Sequence, residues 1–171
     1  MKQCFLTFEG SAPVNDKEVA NQVKEKLKAA TSGVAQVQME IASKYGVGDQ
    51  MGVLAGVNKV MEDGKVDLAH EEGQVWLVDL WATWCPPCQG PMKHNHEMLL
   101  KRKDWEGKVR ILGLSIDDAP ATVKAHVESK GWTAPEHYHC KTGGCTVNDE
   151  YGSGGVPHVF IVDTKGKIVF M

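Results

Sequence analysis

The chain has 171 residues, 42% hydrophobic and 24% charged, with a formal net charge of -3. That length suits one domain with a sizeable core plus an extension, and the slight acidity gives no electrostatic argument for nucleic acid or an anionic membrane surface. No apolar run approaches the roughly 18 residues of a transmembrane helix. The start, "MKQCFLTFEG", is a poor signal peptide, and five cysteines are too few for a disulfide scaffold at this length. A reducing, cytoplasmic compartment is the expectation.

In chain order, "QCFLTF" reads as a short strand. Asn15 and Glu18 form a capping box for a helix through about Ala30. The stretch from Val34 to Lys44 fits a strand or a helix, with the helix preferred. "VNKVMEDGKVDLA" is a hairpin signal around Asp63-Gly64. "VWLVDLW" has the nearly all-apolar character of a central buried strand. Pro86 to about Lys103 is helical in pattern, with proline in the first turn, where a missing N–H is harmless. "KVRILGLSID" is a second buried strand, and "PATVKAHVESKG" a helix stopped by Gly131. After an irregular stretch come "VPHVFIVD", a turn at Thr164-Lys165-Gly166, and "KIVFM". The order is strand–helix–strand–helix–strand–strand. The first three strands, linked by helices, are expected to be parallel and the last two antiparallel.

Within "VDLWATWCPPCQG", Cys85 and Cys88 flank two prolines where the strand gives way to the helix. A helix N-terminus offers unpaired N–H groups and about half a positive charge, which favours a thiolate. Cysteines in such Cys-x-x-Cys sites can titrate at about 3.5–7.5 instead of near 8.5. Cys85 is therefore the expected attacker. Cys88, one turn deeper on the same face, is the expected resolver. Pro86 and Pro87 stiffen the turn. Residue 89 is Gln, which removes a c-type haem site, and structural zinc would need Cys140 and Cys145 as a second ligand pair.

"VDLWATWCPPC" resembles the active-site segment of the thioredoxin superfamily, and "GVPHVFIVDTKGKIV" resembles its later segment with cis-proline and terminal hairpin. The wording is closest to the TlpA/ResA branch of thiol–disulfide oxidoreductases; the tryparedoxin and nucleoredoxin branch shares Cys-Pro-Pro-Cys. The resemblance implies an α/β, three-layer thioredoxin-like fold with a mixed central sheet flanked by helices. It covers 57–171, with an insertion loop at 131–155 and an extension at 1–56. It implies that Pro157 is the cis-proline and that Val156 offers backbone groups to an extended substrate. Trp84 and Pro86 would flank the nucleophile, and Asp79 would be the buried acid that takes the resolving thiol's proton. Trp81 reads as core packing.

This sequence departs from the family's pattern in three places. Pro91 stands three residues after Cys88, not five, so the helix is expected to start late or bend early. His158 follows the cis-proline, where it could contact a thiolate or substrate, or be structural. The family's C-terminal helix is absent, which is expected to leave apolar side chains among Phe160, Val162, Ile168 and Phe170 facing solvent.

"HYHCKTGGC" brings His137, His139, Cys140 and Cys145 close together; a metal site, a second disulfide and a polar loop with two thiols all fit. His94 and His96 point to different helix faces, and Cys4 reads as a small core residue. The expected function is thiol–disulfide exchange with protein or small-molecule disulfides and dithiols, without cofactor, metal, nucleic acid or membrane span. A redox-inactive interaction module and a metal-binding protein using 137–145 are the alternatives.

Overall fold

The computed structural model describes residues 44–141, 147–151 and 155–171. The expected "QCFLTF" strand, the Asn15–Ala30 helix, nearly all of the 34–44 stretch, Cys4 and Cys145 lie outside the described residues.

Among the described residues, seven strands form one mixed sheet in the order β2-β1-β5-β4-β3-β6-β7. The strands are β1 Leu54–Lys59, β2 Lys65–Leu68, β3 Val75–Trp81, β4 Val109–Ser115, β5 Glu136–His139, β6 His158–Val162 and β7 Ile168–Phe170. The helices are α1 Gln89–Lys101, α2 Pro120–Lys130 and α3 Val147–Tyr151, with a 3-10 turn over Pro86–Cys88.

β1 and β2 are the hairpin read around Asp63-Gly64; Gly64 has φ +115°, a value that glycine adopts without steric cost. The apolar "VWLVDLW" run is β3, buried between β4 and β6. Gly131 ends α2 with φ +70°, and Trp132 N donates back to Val127 O at 3.0 Å, a left-handed C-terminal cap. α1 starts at Gln89, after the 3-10 turn, so Pro91 falls in its first turn, where no intrahelical N–H is needed, and the helix continues to Lys101.

Two expectations about the sheet are corrected. β6 runs antiparallel to β3; the third parallel strand is β5, hydrogen-bonded to β4. β5 and α3 both arise from the stretch read as an insertion loop at 131–155. "EHYH" carries little apolar signal, yet its burial is nearly complete because it adds to an existing parallel edge. The boundary drawn at residue 56 also falls inside the fold. Met51 belongs to the main core, and 48–51 runs along β7, with Gly48 N to Ile168 O at 2.8 Å and Ile168 N to Asp49 O at 2.9 Å.

α1 and α2 lie on one sheet face, packing Met92, Val123 and Val127 against Trp81 and both cysteines. The other face carries the larger core, built from Trp76, Val78, Leu80, Leu112, Leu114 and Phe160. There Tyr45 stacks on Tyr151 with ring centroids 4.7 Å apart, and Tyr151 stacks on Phe160 at 4.8 Å. Each such pair contributes about 0.5–1.5 kcal/mol beyond the area it buries.

This stack corrects a further expectation: Phe160, Val162 and Ile168 are fully buried, and of the four named residues only Phe170 is exposed. The half-covered apolar residues near the chain's end are Val159 and Ile161, with Val169 exposed. Val159 and Ile161 have the opposite strand parity to Phe160 and so lie on the α1 face.

Candidate active site

Cys85 and Cys88 are joined by a disulfide, with their Cα atoms 5.4 Å apart. Cys85 is the extended residue just before the 3-10 turn, and Cys88 closes that turn with its N–H on Cys85 O at 3.1 Å. Pro86 at the turn's first position removes a donor that would otherwise lack a partner. Cys85 is 3% exposed and Cys88 not at all, so both are buried. Trp84, 64% exposed, and the exposed Pro86 form the rim outside the sulfurs.

The Val156–Pro157 peptide is cis. Val156 packs against the cluster that contains both cysteines, so this sequence-distant residue joins the core under the cysteine turn. His158 pairs with Leu80 across β6 and β3, which puts it on the sheet face turned away from α1. The structure therefore groups Cys85, Cys88, Trp84, Pro86, Val156 and Pro157, and sets His158 to the other side of the sheet.

Asp79 is fully buried on the α1 face. Its Oδ2 accepts a hydrogen bond from Asn95 Nδ2 of α1 at 3.0 Å, and its Oδ1 has no partner among the described residues. Burial drives its pKa up to about 7, partly opposed by the Asn95 bond, so this carboxyl exchanges a proton near neutrality. Such a group can act as a base in one half of a redox cycle and as an acid in the other.

Sequence reading missed the side chains that hold the turn. Asp117, 2% exposed, accepts from Thr83 N at 3.0 Å, Thr83 Oγ1 at 2.6 Å and Ser115 Oγ at 2.6 Å. Gln89 donates to Cys85 O at 3.1 Å, while its Oε1 meets His126 Nε2 of α2 at 2.9 Å. Asn95 had a readable signal. It follows Cys88 and Met92 at helical spacing, a polar residue on an otherwise apolar stripe. Asp117 and Gln89 had none, since their partners come from the fold.

Of the candidate ligand cluster at 137–145, both histidines lie in a strand. His137 and His139 are in β5, with Nε2 of His137 on Trp132 O at 2.6 Å and Nε2 of His139 on Asp117 O at 2.8 Å. Cys140 is disulfide-bonded. No group of three or more candidate metal ligands occurs among the described residues. Among those residues, too, no helix is long and apolar enough to cross a membrane.

Comparison with known proteins gives the same chemistry a family context. ResA, a thiol-disulfide oxidoreductase of Bacillus thuringiensis, is 31% identical over 109 residues, 64% of this chain and 60% of the relative. HelX, a thiol:disulfide interchange protein of Rhodobacter capsulatus, is 29% identical over 103 residues, 60% of this chain and 54% of that protein. The chain thus spans about 60% of the length of the first of these curated relatives.

Among solved structures, a thiol:disulfide interchange protein from Bacteroides sp. superposes with a TM-score of 0.60 at 22% identity, covering 74% of this chain and 81% of the other. The thioredoxin domain of a thiol-disulfide oxidoreductase from Bacteroides vulgatus gives 0.59 at 24% identity, covering 74% and 87%. These likenesses establish the thioredoxin-like α/β fold. The Redoxin family model matches residues 22–171, most of the chain including the whole described sheet, and the chain belongs to the redoxin family.

Proposed function

We propose that the chain is a thiol–disulfide oxidoreductase that exchanges disulfides of proteins or small molecules through Cys85 and Cys88. The observation that carries this reading is the Cys85–Cys88 disulfide at the mouth of a strand-to-helix turn, with a buried carboxyl, Asp79, beneath the helix that follows. The names of the ResA and HelX relatives support it.

In the reducing direction, Cys85 thiolate attacks a partner disulfide. An S–S bond forms between Cys85 and the partner, and the partner's other sulfur leaves as thiolate. Cys88 then gives its proton to Asp79 and attacks Cys85 Sγ. The Cys85–Cys88 bond forms as the Cys85–partner bond breaks, and the partner is released carrying both electrons. The oxidising direction reverses these steps.

Trp84, Pro86 and the Val156–Pro157 backbone are the proposed docking surface for an extended segment around the partner's sulfur. The test is reduction of insulin by dithiothreitol. The wild-type chain should accelerate it, and Cys85→Ser should return the rate to that of dithiothreitol alone. Equal rates with and without the wild-type chain would refute the reading.

A further inference from the structure

Among the described residues, three buried polar atoms on the α1 face of the sheet lack partners: Asp79 Oδ1, Trp81 Nε1 and His137 Nδ1. Unpaired buried polar groups are costly, about 1–3 kcal/mol each, so a cluster of them calls for a reason. Here they converge. The parallel register aligns Asp79 with Gly113 and Gly113 with His137, so carboxyl and imidazole stand on one face, flanking a residue that has no side chain of its own. A Cβ at Gly113 would lie 3.2 Å from His137 Nδ1 and 3.3 Å from Trp81 Nε1, so both ring nitrogens lean over the glycine. The same Cβ would lie 2.9 Å from Met92 Cε, so the fully buried Met92 packs over the glycine as well.

The hydrogen-bonding roles are fixed by the surroundings. His137 Nε2 lies 2.6 Å from Trp132 O, and a carbonyl only accepts, so Nε2 carries the hydrogen. Burial lowers the ring's pKa below the ordinary 6.5 and so favours the neutral ring, whose Nδ1 is an acceptor. Trp81 Nε1 is a donor only. Asp79 Oδ1 accepts when ionised and can donate when protonated. One acceptor, one donor and one group that switches suit a single water molecule in both states of Asp79. The water accepts from Trp81 and donates to His137 throughout; its third bond reverses with the carboxyl.

We propose that Asp79, Trp81 and His137 hold one water over Gly113, and that His137 is a positioning residue through which Asp79 keeps the proton it takes from Cys88. This rests on the exchange reaction proposed above and assigns a role in it to β5. When Cys88 Sγ attacks Cys85 Sγ, its proton passes to Asp79 Oδ1, and the new O–H donates to the water, which donates to His137 Nδ1. The imidazole stays neutral throughout. Its lone pair favours the protonated carboxyl. The other polar or titratable groups facing this pair are Asn95, His96 and Cys88 around α1, Ser115 on β4 and His139 on β5; β6 offers only Val159 and Ile161. His126 of α2 packs on the Trp81 and Trp132 rings.

The test is the titration of the Asp79 carboxyl carbon by NMR in the reduced full-length chain, alongside the pH profile of insulin reduction. His137→Gln keeps a donor for Trp132 O but removes the Nδ1 acceptor. It should move the Asp79 midpoint down by on the order of one pH unit. His137→Asn places an amide oxygen where Nδ1 was and loses the Trp132 bond, and its midpoint should stay within about 0.3 unit of the parent. A residue needed only for its Trp132 bond would give the reverse pattern, with Gln harmless and Asn destabilising. An unmoved midpoint in His137→Gln, or equal shifts in both variants, overturns the inference while leaving exchange by Cys85 and Cys88 standing. Absence of insulin reduction by the parent overturns the exchange reading, whereas the carbon titration still reports on His137 and Asp79.

Discussion

Asn95 donates its side-chain amide to Asp79 Oδ2 at 3.0 Å, tying the strand that leads into the cysteine turn to the helix that leads out of it. The bond favours the ionised carboxyl and so opposes the larger effect of burial. Asn95→Ala removes it and should move the Asp79 midpoint upward from about 7, by on the order of one unit. The acidic limb of the insulin-reduction profile, where the base is lost by protonation, should follow. Carboxyl-carbon NMR in parallel with activity checks this; a downward shift contradicts it.

The raised pKa of Asp79 has a consequence for stability. Its folded value of about 7 exceeds the ordinary 3.8. Between these values the folded chain holds a proton that the unfolded chain has released, so this group's contribution to stability falls as pH rises from about 4 to about 7. Asp79→Asn cannot ionise, and its amide oxygen can still accept from Asn95. It should be more stable than the parent at pH 8, by up to about 4 kcal/mol, with the gap closing near pH 4. Urea unfolding at both pH values measures the gap. A parent equal to or more stable than the variant at pH 8 contradicts the account.

Asp117 should matter through structure alone. It accepts from Thr83, two residues before Cys85, and from Ser115 at the end of β4. Asp117→Ala leaves buried donors unpaired and should cost about 2–4 kcal/mol. Asp117→Asn keeps an acceptor and should cost less. Equal unfolding midpoints for Asp117→Ala and the parent would show that the network is not holding the turn.

Cys140 and Cys145 should be dispensable for turnover. Cys140 follows the last residue of β5 and has no helix beginning at its sulfur as Cys85 has. Replacing both cysteines by serine should leave insulin reduction within about threefold of the parent, since Cys140 lacks the strand-to-helix field that activates a thiolate. A loss as deep as that of Cys85→Ser would instead identify a relay pair.

The parts of the fold legible in the sequence were those with strong local signals. β3 and β4 announced themselves by apolar runs, the β1–β2 hairpin by Asp63-Gly64, and the end of α2 by Gly131. The cysteine pair and Pro157 were readable because their residue types at that spacing are rare outside such sites. β5 was not legible. Its Glu136, His137 and His139 look like loop residues, and only pairing with β4 and β1 makes them a strand. The direction of β6 was misread because helix-linked strands are usually parallel, and the strand interposed at β5 was unseen. Asp117, Gln89 and His137 had no local signal, because their roles depend on partners up to 37 residues away.

The most direct test of the central claim is capture of the mixed disulfide. Cys88→Ser and Cys85→Ser are reduced, mixed with oxidised insulin, quenched by alkylation and compared on non-reducing gels. Cys88→Ser should attack and stall, because the second thiol is gone, and accumulate an adduct that dithiothreitol dissolves. Cys85→Ser should form little, because Cys88 is fully buried. Abundant adduct from Cys85→Ser with none from Cys88→Ser would contradict the assignment of attacker and resolver on which the account rests.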